Sequence, residues 1–372
     1  MPVLLAAAAL GFTGFALLLP VAPMWAVRIG ADNLGAGLVN AVLMLCTVIA
    51  QLLVGRVVRQ AGWRMTFALG LVLLGAPALA HMLAESLWAV LLLAALRGFG
   101  FGILTVCSVD GIAGLFAQEH RGRAVGAYGL AIAAPQFLLT PAAPWLAEHL
   151  SFALVFALAA ASLLAVPLIL MWPGPETAPP AQDGERFTVS RGLVFAIAAL
   201  VVITAAGGAI LTFAPQFGSA GTAFAALLAL TGATAVTRWL IGGIADRRGP
   251  ARFIGPMLGL GAVGLVVVAV GINIGGAVVV VGSVLVGAAY GSLQNLTLVQ
   301  AFASTGEHAR GAVSVAWNVG FDTGTGLGAL AVGALATASS FPLGFAVLAG
   351  GCVIIGLFWV IPGNERKGPG SG

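Results

Sequence analysis

Apolar residues run for about twenty positions at a time along the whole chain, and charged residues fall almost entirely between the runs. Each run is long enough to cross the ~30 Å hydrocarbon core of a bilayer as a helix. With charges and Pro/Gly clusters as punctuation, the pattern predicts twelve spans, roughly 3–27, 34–55, 65–84, 87–112, 124–147, 151–172, 192–214, 219–244, 253–273, 276–302, 312–337 and 340–362. In hydrocarbon the backbone must satisfy its own hydrogen bonds, and these runs are too long for barrel strands, so the spans are expected to be helices. The first begins almost at Met1 with no basic leader or cleavage site, and reads as a retained helix.

Composition agrees and excludes alternatives. Sixty per cent of the 372 residues are apolar and 8% are charged, where a soluble domain is about one quarter charged. Twelve spans leave 372 / 12 = 31 residues each, so loops are short and no soluble domain fits. The sustained polar segment WPGPETAPPAQDGERFTVSR, from Trp172 to Arg191, is Pro-rich and sits between spans six and seven. The expected organisation is a six-helix bundle over 1–172, a cytoplasmic linker over 173–191, a second six-helix bundle over 192–363 and a cytoplasmic tail over 364–372.

Charge sets the orientation. Arg56, Arg59, Arg64, Arg121, Arg123, Arg186, Arg191, Arg247, Arg248, Arg252, Arg310, Arg366 and Lys367 fall in alternate loops, at their helix ends or in the C-terminal tail, and Arg28 falls on the other side. The positive-inside rule then places both termini and the linker in the cytoplasm. The net charge of +4 reflects this loop bias and gives no case for nucleic-acid binding. Cys46, Cys107 and Cys352 lie inside apolar runs without CxxC spacing, so neither a disulfide nor a metal is expected. His81 and His149 read as extracellular, His120 and His308 as cytoplasmic, and no His–acid pair has metal spacing. GxGxxG-like runs lie in apolar helices with no strand before them, which leaves nucleotide binding unsupported. No cofactor is expected.

The chain repeats itself. EHRGRAVG from Glu119 returns as EHARGAVS from Glu307, with Arg121 and Arg310 separated by 310 − 121 = 189 positions. The segment after the second span, GRVVRQAGWR from Gly55, returns after the eighth as GGIADRRGPAR from Gly242, with 242 − 55 = 187. Two landmarks at nearly one offset indicate a duplicated six-helix unit.

On these residues the chain resembles the major facilitator superfamily, whose members pair two six-helix bundles and carry a Gly-x-x-x-Asp-Arg-x-Gly motif between helices two and three, echoed between eight and nine. Gly242, Asp246, Arg247 and Gly249 keep that register, while the first copy retains Gly55 and Gly62 but has Arg59 and Gln60 in place of the acid and the base. The resemblance implies an all-α membrane transporter of twelve helices in two pseudo-symmetric bundles, with these segments latching one conformation of an alternating-access cycle. A merely solvated, orienting loop is the alternative. Within the family, the bacterial drug or metabolite:proton antiporters are the branch it looks most like, which implies the plasma membrane of a bacterial cell.

Ionisable residues inside the spans are costly and mark function by default. Asp322, in GFDTGTGLG of the eleventh span, falls near mid-membrane and is a candidate for proton coupling, or else a hydrogen-bonded structural carboxylate. Arg97 opens RGFGFG in the fourth span, similar to the family's helix-four Arg-x-x-x-Gly pattern of proton-coupled members. It can hold an anionic partner or tune a carboxyl group, or simply cap helix carbonyls. Asp110, thirteen residues further on, is placed to join the latch through Arg59, Arg56 or Arg64, or to stand solvated at the helix end. Arg238, about 12 Å inside the boundary, can snorkel to the surface or serve the interface between halves. Pro135 can kink the fifth span at that interface, in a degraded form of the family's antiporter motif. Phe12, Thr13, Phe15, Gln294, Asn295, Trp317 and Asn318 are candidate cavity groups, with interhelical packing as the alternative.

The sparse charges and apolar, aromatic spans point to a monomeric transporter in contact with membrane lipids. The cargo expected is a small lipophilic or amphiphilic compound, weakly cationic, since an anionic cargo calls for a larger basic cluster than Arg97 alone, and the resemblance to drug exporters implies that it leaves in exchange for protons. Uptake of a neutral metabolite by symport or facilitation is the second reading. A polytopic membrane enzyme is the third, disfavoured because no catalytic constellation is present.

Overall fold

A computed structural model describes residues 2–115, 121–172, 189–305 and 310–360. Among these the regular structure is helical, and twelve stretches are long and apolar enough to cross a membrane. The chain divides into two compact units, Met1–Asp183 and Gly184–Gly372. Of the expected linker, 173–188 lie outside the described residues, as do the tail, His120 and His308.

Unit 1 comprises α1 (Pro2–Arg28), α2 (Asn33–Ala61), α3 (Trp63–Ala80), α4 (Leu87–Leu115), α5 (Arg121–His149), α6 (Phe152–Ala159) and α7 (Ala165–Met171). The sixth span was expected to be one helix. It is instead broken into α6 and α7 by a 3-10 stretch, Ala160–Leu164. Pro167 cannot donate to the Leu163 carbonyl, so the chain tightens just before it. The third span likewise ends in a 3-10 turn, His81–Leu83. α5, in contrast, remains helical through Pro135, Pro141 and Pro144.

In unit 2 the spans are α8 (Arg191–Phe213), α9 (Ala220–Arg248), α10 (Ala251–Ile274), α11 (Gly276–Ala303), α12 (Arg310–Ala338) and α13 (Phe341–Val360). α11 packs between α9 and α10, and α12 packs on α8. In unit 1 the same central place is taken by α4, between α2 and α3.

Both copies of the repeated motif were expected in loops, yet both are largely helical. α2 runs on through Arg56, Arg59 and Gln60 to Ala61, and α9 runs through Asp246 and Arg247 to Arg248. Arg and Gln are good helix formers, and basic side chains in a last turn are favoured by the helix dipole. The reversal is left to a single residue in each copy. Gly62 at φ +81° and Gly249 at φ +80° lie where L side chains are strained, and their N–H groups donate to the Val58 and Ala245 carbonyls at 2.9 Å.

Helix starts repeat as well. Asp32 Oδ1 accepts from Gly35 N at 2.8 Å and Ser219 Oγ from Thr222 N at 3.2 Å, 219 − 32 = 187 positions later. Ser151 Oγ accepts from Leu154 N at 3.1 Å and Ser340 Oγ from Leu343 N at 3.4 Å, 340 − 151 = 189 positions later. Each cap satisfies one of the amides that a helix N-terminus leaves unpaired.

Candidate functional site

The membrane-depth polar groups fall into one cluster in each unit. In unit 2, Asp322 lies twelve residues into α12, ~18 Å from its start, and is 6% exposed. Beside it on α11 is Tyr290, buried, whose hydroxyl interacts with Thr325 and feels the charges of both Asp322 and Arg238. Gln294 is four residues on, so it shares the face of α11 with Tyr290. Its Oε1 accepts from Arg238 Nη1 at 3.0 Å. Asn295 Nδ2 reaches back to the Arg238 carbonyl at 3.4 Å. Arg238, expected to snorkel to the surface or to serve the interface between halves, is exposed and is hydrogen-bonded to Gln294.

Packing fixes this row of groups. A side chain on Gly207 of α8 would collide with the Tyr290 ring, and that ring meets Phe321 with centroids 6.0 Å apart. Phe321 in turn stacks on Trp317 at 5.6 Å, and Trp317 Nε1 donates to Thr297 Oγ1 at 3.1 Å. Thr325 Oγ1 bonds the Phe321 carbonyl at 2.9 Å. Three helices thus bring a base and an acid within electrostatic reach of one buried phenol.

Unit 1 holds Arg97 and His81. Gly98 and Gly102 of α4 face the Leu43 and Thr47 carbonyls of α2, and Gly100 faces Leu74 N of α3, so closely that a Cβ at any of them would clash. This seam holds the α4 backbone where Arg97 is fully buried. His81, expected outside the membrane, is buried too. The 3-10 turn at the end of α3 tucks its ring against Phe156 at 5.3 Å, with Nδ1 2.7 Å from the Pro77 carbonyl. One helical turn from Arg97, Phe101 stacks on Phe15 at 3.9 Å and meets Phe12 edge-on at 5.3 Å. The three rings form an apolar aromatic cluster beside the buried base.

Other expected site residues have more local roles. Thr13 Oγ1 bonds the Ala9 carbonyl at 2.9 Å, and Asn318 Nδ2 the Ser314 carbonyl at 2.8 Å. Each spends its polarity on its own helix. Pro135 is half-buried within α5. The expected link between Asp110 and the basic residues Arg56, Arg59 or Arg64 is left open by the geometry. Asp110 and Arg59 are both exposed, and the Arg59 guanidinium folds back over Gly55 on its own helix. Gly242 lies against Asn295, and Arg247 is exposed. The Asp246 side chain lies outside the described residues.

Sequence reasoning singled out Asp322, Arg97, Arg238 and Gln294 as candidates and did not single out Tyr290 or His81, which the structure sets close to them. Tyr290 is one of only two tyrosines in the chain, and a phenol at mid-span was the available signal. His81 gave none, because its position at a span end is equally that of a loop residue.

Residues 4–329 match the family model described as Major Facilitator Superfamily. No curated protein is similar enough in sequence to count as a match. Among solved structures, the xylose transporter XylE from E. coli superposes with a TM-score of 0.77 at 15% identity, covering 98% of this chain and 96% of that one. A bacterial homolog of the human lysosomal transporter Spinster gives 0.76 at 15% identity, covering 96% and 95%. The nucleoside transporter NupG gives 0.69 at 15% identity, covering 97% and 98%. At these identities the likeness is one of fold.

Proposed function

This chain belongs to the major facilitator superfamily, and from that premise we propose that it is a secondary active transporter that exports a small lipophilic or amphiphilic compound in exchange for protons. Alternating access exposes the cargo site to one face of the membrane and then the other. The observation that carries the coupling is Asp322, a buried carboxyl group midway along α12, close to a buried phenol, Tyr290, that also feels Arg238. In such a place a carboxyl group can take up and release a proton as access changes sides, and Tyr290 and Gln294 can pass that change to Arg238. The scarcity of free polar side chains supports a lipophilic cargo, since Thr13 and Asn318 bond within their own helices. Motif residues Gly55, Gly62, Gly242, Asp246, Arg247 and Gly249, with Arg59 and Asp110 at the altered first copy, would bias the cycle toward one conformation, and Pro135 would act within α5.

The test is accumulation of a fluorescent lipophilic dye in energised cells making wild type or Asp322→Asn at equal expression, with and without a protonophore. Lowered accumulation in wild type, abolished by both the substitution and the protonophore, is the expected result. An Asp322→Asn variant that still lowers accumulation would remove Asp322 from the coupling. A protonophore without effect would remove the proton.

A further inference from the structure

Unit 1 buries two nitrogen-bearing side chains that find no protein partner. Arg97 is wholly enclosed, and none of Nε, Nη1 and Nη2 meets an acceptor among the described residues. The His81 ring is enclosed as fully, and its Nε2 is unpaired. The two are near enough for His81 to feel the guanidinium charge. A buried cation with its donors unengaged is strongly unfavourable, which directs attention to a role other than stability.

The surrounding helices supply no counter-charge at this depth. In unit 1, Asp32 caps α2 and Glu85 sits in the turn before α4. Asp110 is thirteen residues from Arg97, ~20 Å along α4. Glu148 and His149 lie in the last turn of α5, where the His149 ring stacks on Trp145, and α6 and α7 carry no charged residue. The basic groups Arg28, Arg56, Arg59 and Arg64 are at the ends of α1, α2 and α3. Cys46 of α2 packs against Gly98 and is neutral as a thiol.

The two side chains ask for different things. A carbonyl can only accept, so Pro77 holds the proton of a neutral His81 ring on Nδ1 and leaves Nε2 as a lone pair. Arg97 offers donors alone. A ligand that answers both must present an acceptor to Arg97 and a proton to His81. A carboxylic acid does so: one oxygen accepts from the guanidinium, and the proton lies between the other oxygen and Nε2. The Phe12, Phe15 and Phe101 rings, one turn away, offer an apolar bed for the remainder. We propose that Arg97 and His81 form a site for the carboxylate of a small lipophilic acid, bound together with one proton taken from solution. The proton stays within the site, and no covalent bond forms or breaks.

This goes beyond the export reading and stands on unit 1 alone. The probe is benzoate, ionised in neutral solution, titrated by calorimetry into the purified full-length protein in uncharged detergent. Two buffers of different ionisation enthalpy count the protons. The expected result is saturable binding with about one proton taken up per benzoate. Arg97→Lys, which keeps the charge but loses the planar fork, should bind at least about tenfold more weakly. His81→Phe, which keeps a ring against Phe156, should bind weakly and take up no proton. Chloride in place of benzoate separates the sources. Chloride bound with the same proton uptake assigns the site to free inorganic anions and overturns the lipophilic acid, whereas benzoate without chloride supports it. No saturable binding, binding without proton uptake, or binding unchanged in both variants would overturn the site. Repeating the titration in Asp322→Asn keeps the outcome separate from that of the export test.

Discussion

Tyr290 is flanked by charges of opposite sign on two other helices, Asp322 of α12 and Arg238 of α9. Its ring is held by Gly207 and Phe321, so Tyr290→Phe keeps the packing and removes only the hydroxyl. A single hydrogen bond contributes about 0.5–1.5 kcal/mol to stability, and thermal unfolding should shift little. Driven export should nevertheless fall about tenfold or more, as expected when ~1.4 kcal/mol is lost from a transport barrier. Equal export by the two proteins at equal expression would show that Asp322 works without the phenol. Gln294→Leu acts on the other side: it removes the acceptor of Arg238 Nη1, and because Arg238 is exposed unfolding should show a loss of only about 0.5–1.5 kcal/mol. At this scale the sequence reveals groups that violate their surroundings. An acid in GFDTGTGLG stands out, while a tyrosine in GAAYGSLQN passes for one more aromatic until folding sets it beside Asp322. His81 was hidden for a related reason, since the 3-10 turn that buries it leaves no trace in hydropathy.

Elements were legible through their length, because a bilayer allows a twenty-residue apolar run only one simple structure. Their ends and interruptions were not. α2 and α9 run on past the apolar stretches through helix-forming residues, Arg56, Arg59 and Gln60 in one and Arg247 and Arg248 in the other, and the sixth span breaks ahead of Pro167. Proline also leaves a subtler mark on α1. Pro23 has no N–H for the Leu19 carbonyl, and Asn40 Nδ2 of α2 fills the vacancy at 2.9 Å in a buried position. Asn40→Leu should therefore cost about 1–2 kcal/mol in unfolding experiments. Pro23→Ala restores an N–H to α1. In that background the cost of Asn40→Leu should be smaller by about 1 kcal/mol. Strictly additive costs would mean that Asn40 contributes in some other way. A substitution at the glycine seam of α4 tests packing instead. Gly98→Ala puts a methyl group against the Leu43 carbonyl, which cannot yield as a flexible side chain would. A loss of about 1–3 kcal/mol is expected, visible as lower thermal stability.

Across the whole molecule the scaffold is duplicated and the chemistry is not. Caps and turns recur at offsets of 187 to 189, in Asp32 and Ser219, Gly62 and Gly249, Ser151 and Ser340. This repetition was readable because loop signals are local and survive divergence of the spans. Arg97, however, corresponds to the apolar stretch Val284 to Val286, and Asp322 corresponds, at 322 − 189 = 133, to Ala133. The counterpart of Tyr290 falls among Phe101, Gly102 and Ile103, none of which carries a hydroxyl. If depth in the membrane were enough for proton coupling, an acid at Ala133 could replace the one at Asp322. If the neighbourhood matters, it cannot, because unit 1 has no phenol and no Arg–Gln pair at the equivalent places. The double substitution Ala133→Asp with Asp322→Asn should therefore remain inactive in the protonophore-sensitive dye assay, at wild-type expression and with thermal stability within a few degrees of Asp322→Asn alone. Recovery of export would mean that the symmetry of the scaffold outweighs the asymmetry of its side chains, and that Tyr290 and Arg238 serve structure instead of coupling.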